Sequence, residues 1–451
     1  MDSTAAARNR GSARGLAGVV RPAVTLAILF LLTWLSFQGV SPSLEGGRLA
    51  VLVGFVLLAA SVAGTLAAAV GLPRITGFIL LGIVAGPSLA GLLPPPAVAD
   101  LRLIDRFALA LIALLAGGEL EVSTLRPKAR VIAIVTLVVT GIVWIGMTGA
   151  ILVARPLVPF LAALPFSSAV VIALLLGVWA ANSSPDLTVA VIEEKRARGE
   201  LVDVILGVTI VKDLVVIVLF TLTLALAAPL VDPSRAFSAD VLLGLIREVG
   251  GALALGAAGG WVFSQYLGGK EAPPRSPLAT FLFAYLIVVL AEELHVELLL
   301  TGVAAGFVIE NLSPAGDRMI QGIRSVSVVI FAFFFAIAGA GLDLGAVLRF
   351  GPAALALFAA RIFLTRYAAR RGAGLAGAEG EVRDRTWLGL VSQGGVSLGL
   401  VLLVEEALPS VGAGVVALAM SIIIGNILIG PVLLGRALAK APANQGGSGR
   451  R

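Results

Sequence analysis

Cysteine is absent from this 451-residue chain, histidine occurs once, and charged residues make up only 13% of it. Without cysteine there are no disulfides, thiolate metal sites or iron–sulfur clusters, and the redox compartment leaves no trace in the sequence. One histidine, His295, argues against a multi-histidine metal site and a His-based triad, since each needs imidazole beside further ligands or a nucleophile. It stands in AEELHVELL, a helix boundary, where an interfacial polar residue belongs. No phosphate-cradling loop is present either. Pairs such as Gly250 and Gly251 lie inside helical runs and lack the Walker spacing, which argues against an ATP-driven pump. No cofactor, metal or enzyme chemistry is expected.

What fills the space is apolar. Hydrophobic residues are 59% of the chain, and mean hydropathy is +1.03, which marks an all-α polytopic membrane protein. Runs long enough to span a bilayer, roughly 17–25 residues each, succeed one another with no room for a separate soluble domain. They predict about fourteen helices, near 22–41, 48–71, 74–93, 105–122, 130–153, 168–194, 202–229, 239–267, 276–293, 296–311, 325–344, 352–369, 386–407 and 412–437. The first could pass for a signal peptide, but no small-residue cleavage site follows, so it reads as a helix. The division is a 1–21 tail, an additional helix and loop at 22–47, a transmembrane domain at 48–437 and a disordered tail at 438–451.

Basic residues test this count, because cytoplasmic loops hold the Lys and Arg excess. With the N-terminus inside, the same side collects the clusters at 126–130, 195–198, 270–275, 318–324 and 370–385 and the C-terminal arginines. The other side keeps Arg48, Arg102, Arg106, Arg155, Arg235 and Arg349. Both termini are thus expected in the cytoplasm of a bacterial inner membrane protein. The net charge of +6 follows from topology and implies no nucleic acid.

The chain also repeats itself. LLGIVAGPSL at 80–89 resembles LTGVAAGFVI at 300–309, and ALLAGGELEV at 113–122 resembles FAIAGAGLDL at 335–344. Copies an odd number of helices apart insert with opposite orientation, as in the inverted repeats of secondary transporters.

Polar groups within the hydrocarbon are costly and are functional candidates by default. Four places qualify. Lys212 and Asp213 lie side by side in TIVKDLVVIV, far from either helix end. At 181–186, ANSSPD interrupts an apolar helix with Ser183, Ser184, Pro185 and Asp186. Pro185 removes a donor and disfavours helix at Ser184, so the helix opens and offers oxygen ligands of the kind small cations prefer, or else merely kinks. At 391–399, VSQGGVSLG makes a second break with Gln393, Gly394 and Gly395. Two such breaks, crossing at mid-membrane, bring helix-end dipoles together and need a balancing charge. Arg361 is the candidate for it; snorkelling is its alternative role.

These residues carry a resemblance. PRITGFILLGIVAGPSLAGLL, LIALLAGGELEVSTLRPKAR, SSPD, VKDLVVIVLF, FFFAIAGAGLDL, LVSQGGVSLGLVL and NILIGPVL, in that order across 48–437, resemble the monovalent cation:proton antiporters, the sodium/hydrogen exchanger type. The resemblance implies an inverted-repeat fold of thirteen helices, two of them broken and crossing, with a dimerisation domain and a core that moves as an elevator. It implies a homodimer in membrane lipid that exchanges Na+ or K+ for protons. By position, Asp213 resembles the carboxylate that takes proton or cation, Ser183 to Pro185 resemble the first broken-helix motif, and Arg361 resembles the family's core cation. Two positions depart: Lys212 stands where the family has Asn or Asp, and Asp186 replaces a small or apolar residue. Lys212 is expected to turn away from Asp213 and pair with Asp186, or to join the proton path. The departures also favour an alternative, a transport-inactive sensor or scaffold.

Overall fold

The structure is a computed structural model that describes residues 20, 22–35, 45–94, 96, 98, 101–231, 243–244, 246–268, 277–313, 316–394, 397, 400–401, 403–404 and 408–439. Its elements are helical: α1 Pro22–Leu35, α2 Glu45–Ala69, α3 Arg74–Ala85, α4 Arg102–Gly118, α5 Ala129–Ala154, α6 Phe166–Ala181, α7 Pro185–Lys195 and α8 Glu200–Val231. After a π-helical turn at Ile246–Gly250 follow α9 Gly251–Gly268, α10 Pro277–Glu293, α11 Leu298–Leu312, α12 Gly316–Ala340, α13 Leu344–Leu375, α14 Gly380–Gly389 and α15 Pro409–Leu438.

Among the described residues, seven helical spans are long and apolar enough to cross a membrane, and three shorter apolar helices accompany them, so the expected fourteen spans are not confirmed among these residues. Part of the difference is physical. The expected helix 168–194 is two helices, α6 and α7. The expected 74–93 stops at Ala85, because Pro87 disfavours helix at Gly86. α12 starts nine residues before the expected 325, its polar first turns being invisible to hydropathy. α13 begins at Leu344 where Asp343 accepts from the Gly345 amide at 2.8 Å, and it continues through Pro352 instead of starting there.

Four helices end by one device. Beyond α2, α7, α10 and α13, a residue in the left-handed region closes a Schellman turn: Gly71, Arg196, His295 and Gly377. For His295 the two bonds run from its own amide to the Glu292 carbonyl at 3.2 Å and from the Val296 amide to the Ala291 carbonyl at 2.9 Å. The single histidine is therefore an exposed cap residue.

The chain divides into two compact units, one drawn from residues up to Ala108 with Val326–Leu342, the other from Leu109–Ser325 and Asp343 onward. Within the first, α3 packs on α12 with backbones nearly touching. A Cβ at Gly82 would run into the Ala336 carbonyl oxygen, and one at Gly86 would lie 2.9 Å from that of Ala340. Within the second, α4 packs on α11 in the same way, with Gly306 against Leu114 and Gly117 against Val303. These are the glycines of the internal repeat, 82 with 302, 86 with 306 and 117 with 339. Only glycine permits such approach, and the two copies use it for the same job. They do so one helical turn apart, since Gly306 meets Leu114 and Gly118 whereas Gly82, the counterpart of Gly302, meets Ala336 and Ala340.

Candidate functional site

The first break follows from Pro185. α6 ends at Ala181, 182–184 are not helical, and α7 restarts with Pro185 in the first turn, where a missing N–H costs nothing. Ser184 caps α7, its Oγ accepting from the Leu187 amide at 3.1 Å, and the Ser183 amide donates to Asn182 Oδ1 at 2.7 Å. The chain opens here, and the simple kink is ruled out for this segment. The second break opens after Gly389, with 390–394 non-helical; Gly395 lies outside the described residues.

The two breaks are laced together. The Ser184 amide donates to the Ser392 carbonyl at 2.9 Å, Ser183 Oγ donates to the Leu390 carbonyl at 2.6 Å, and Asn182 Nδ2 donates to Ser397 Oγ at 3.1 Å. Gln393 Nε2 reaches back to the Trp179 carbonyl at 3.2 Å, and Trp179 Nε1 donates to the Ser397 carbonyl at 2.8 Å. Every residue in this lattice is buried.

Arg361, only 1% exposed, sits between the breaks from its place on α13. Nε donates to the Ala180 carbonyl at 2.7 Å, Nη2 to that of Asn182 at 2.6 Å, and Nη1 to the Val391 carbonyl at 2.6 Å and Asn426 Oδ1 at 2.8 Å. The guanidinium therefore caps the open carbonyls of both broken helices, where the helix dipole favours a cation. It does not snorkel. Asn426 completes the ring by donating to Gln393 Oε1 at 2.7 Å.

Lys212 and Asp213 project from α8 and are 1% and 4% exposed. Lys212 Nζ donates to Ser183 Oγ, and the charged groups that bear on it are Arg361 and Asp213. Glu297, Asp186 and Lys212 bear on Asp213, and the Asn182 side chain faces it. Asp213 Oδ1 is buried without a hydrogen-bond partner among the described residues, as is Ser392 Oγ. Asp186 accepts from Ser184 Oγ and lies against Gly394, where an added Cβ would sit 2.9 Å from Oδ2.

The structure thus brings Ser183, Ser184, Pro185, Asp186, Lys212, Asp213, Arg361, Gln393 and Gly394 into one place. It also assigns them different states. The hydroxyls of Ser183 and Ser184 are already engaged as donors and acceptors, while Asp213 Oδ1 is left open. Sequence inspection missed Asn426 and Ser397. A lone asparagine in SIIIGNILIGP carries the same signal as Asp213, a polar group in an apolar run, but in a weaker, uncharged form.

A second charged cluster closes the end of α7. Arg324 Nε donates to Glu193 at 2.9 Å and Nη2 to Glu119, while Arg198 Nη1 donates to Glu119 at 2.7 Å. Burial holds the Glu119 carboxyl above its ordinary range, and Arg198 and Arg324 pull it part of the way back. The sequence placed these arginines only as loop charges.

Comparison with known proteins agrees with the geometry. The family model described as sodium/hydrogen exchanger, transmembrane, matches residues 56–440. A structure of the sodium proton antiporter MjNhaP1 from Methanocaldococcus jannaschii at pH 8 aligns at 18% identity with TM-score 0.64, covering 88% of this chain and 99% of that one. An electron-microscopy map of the same antiporter aligns at 17% identity with TM-score 0.66, covering 90% and 100%. No curated protein matches in sequence. With the fold and the family model in agreement over most of its length, the chain belongs to the sodium/hydrogen exchanger family of multi-pass membrane proteins.

Proposed function

We propose that the protein exchanges a monovalent cation, Na+ or K+, for protons, with Asp213 as the group both compete for. The observation that carries this is Asp213 Oδ1, buried beside the break at 182–184 with no hydrogen-bond partner among the described residues. A single carboxylate holds either a proton or a cation, and a site that rocks between the two sides of the membrane converts that competition into coupled exchange without ATP. Arg361 supports the division of labour. Its hydrogen bonds go to helix-end carbonyls and Asn426, so Asp213 is left to the transported species.

Lys212 modifies the coupling. Its amine holds Ser183, removes that hydroxyl from ligand duty and places a second titratable group beside Asp213. The wider reading is an elevator-type transport domain at 48–437, preceded by an additional helix in 22–47, working as a homodimer in a bacterial inner membrane with both termini cytoplasmic.

A second reading, a sensor or scaffold that no longer transports, draws on one observation: the hydroxyls of Ser183 and Ser184 are engaged within the protein. The deciding experiment is proton flux in reconstituted liposomes, with Na+ or K+ added to wild type and to Asp213→Asn. Antiport gives cation-triggered flux that disappears in the variant. No flux from folded wild type, with cation binding retained by calorimetry, selects the sensor.

A further inference from the structure

We infer that the groove between α5 and α13 is a binding site for one anionic phospholipid, separate from the ion site. The two helices run antiparallel, Gly146 packing on Leu364 and Gly372 on Val135. Between them lies a cleft of about 520 Å³, within the roughly 300–1,000 Å³ range of ligand sites. Its lining is apolar: Gly141, Ile145, Gly146, Phe363, Leu364 and Tyr367. The cleft exists because Gly141 has no side chain. An added Cβ there meets nothing within 4 Å. Phe363 and Tyr367 stack along one wall, centroids 6.5 Å apart and planes inclined by 11°.

Apolar surface on a membrane helix faces acyl chains by default, so the lining alone selects no lipid. The mouth does. Arg371 lies at 5.3 Å over the ring of Tyr367, which lines the cleft; Arg366 turns instead to Trp387 on α14 at 5.5 Å, and Arg370 pairs with Asp384 at 2.7 Å. Arg366 and Arg371 are exposed and have no carboxylate partner among the described residues. The helix α13, with 32 residues, is about 48 Å long against a hydrocarbon core of roughly 30 Å, so these last turns reach the headgroup region. From Phe363 to Arg371 the helix rises about 12 Å, a span that an acyl chain in the groove and a phosphate at its mouth cover together. Stacking on Tyr367 holds the Arg371 guanidinium in place before a phosphate arrives, and guanidinium is the side chain that grips phosphate by a fork of donors.

Native mass spectrometry of the full-length, detergent-purified protein tests this, with phosphatidylglycerol and phosphatidylcholine of identical chains as probes. Wild type should retain phosphatidylglycerol preferentially. Arg371→Gln should lose the preference, about fivefold, whereas Arg366→Gln should keep it. Gly141→Leu extends a side chain into the groove from a Cβ position with open space around it, and it should release the lipid while the protein stays folded by its elution profile and melting curve. Equal retention of the two lipids by wild type would overturn the inference. So would unchanged retention by the Gly141→Leu protein, or displacement of the lipid by excess inorganic phosphate, which would reduce the site to its arginines.

Discussion

The two breaks at the centre of the molecule are built from opposite materials. The first, at 182–184, is opened by a proline, capped by a serine and lies within reach of three ionisable groups, Asp186, Lys212 and Asp213. The second, at 390–394, has no charge and no proline. It relies on Gln393, on Gly394 and on the Val391 carbonyl turned toward Arg361. One break carries the chemistry and the other carries the fit. Arg361 joins them because each contributes an open helix C-terminus, and five donors in a rigid fork can serve both at once.

The largest effect that would break this picture is at the shared arginine. Arg361→Met removes donors from four buried acceptors, each costing about 1–3 kcal/mol when left unpaired, so folded yield and melting temperature should collapse. Arg361→Lys keeps the charge but not the fork, and should recover only part of the loss.

Next comes Gly394→Ala. Its Cβ would press on Ser184 Oγ and the Asp186 carboxylate, an overpacking cost of about 1–3 kcal/mol in a thermal melt. Asp186→Ala in the same chain should recover the part due to the carboxylate, while the nearer Ser184 Oγ, at 2.5 Å, stays in the way; an additive double variant would deny that the two breaks share this contact.

Gln393→Ala should cost about 1 kcal/mol, the net worth of its bonds to Trp179 and Asn426, with cation-driven flux retained. A flux loss as complete as that of Asp213→Asn would give the second break a direct role in chemistry. The smallest effect on stability is expected from Lys212→Asn, which exchanges a buried ammonium for an amide. What should change instead is the ion dependence and the stoichiometry measured in liposomes. If both stay as in wild type, Lys212 has no part in coupling.

How much of this was legible in the sequence depended on the kind of signal. Pro185 announced the first break because a proline acts through its own ring on its own neighbours. The glycine pair at 394–395 announced only that a second break existed. Where Arg361 would point was not legible as geometry: its four acceptors come from residues 30 to 181 positions away, and spacing along one helix says nothing of them. The partner of Lys212 was missed for a related reason. A carboxylate was the expected electrostatic choice, and a hydroxyl from the opposing loop took the ammonium. Helix ends shifted wherever polarity or capping outweighed hydropathy, as at Gly316 and Asp343.

The contact between Gly394 and Asp186 has a consequence for how such chains change over time. The space that a side chain at 394 would need is shared by the Ser184 hydroxyl, 2.5 Å from an added Cβ, and the carboxylate at 186, 2.9 Å from it. A lineage that gains the carboxylate must already hold glycine across from it, and one that later gains a side chain at 394 must first give up the carboxylate and move the Ser184 hydroxyl aside. The two positions are inherited as one character. Among relatives, aspartate at the position of 186 should be found only where the position of 394 is glycine.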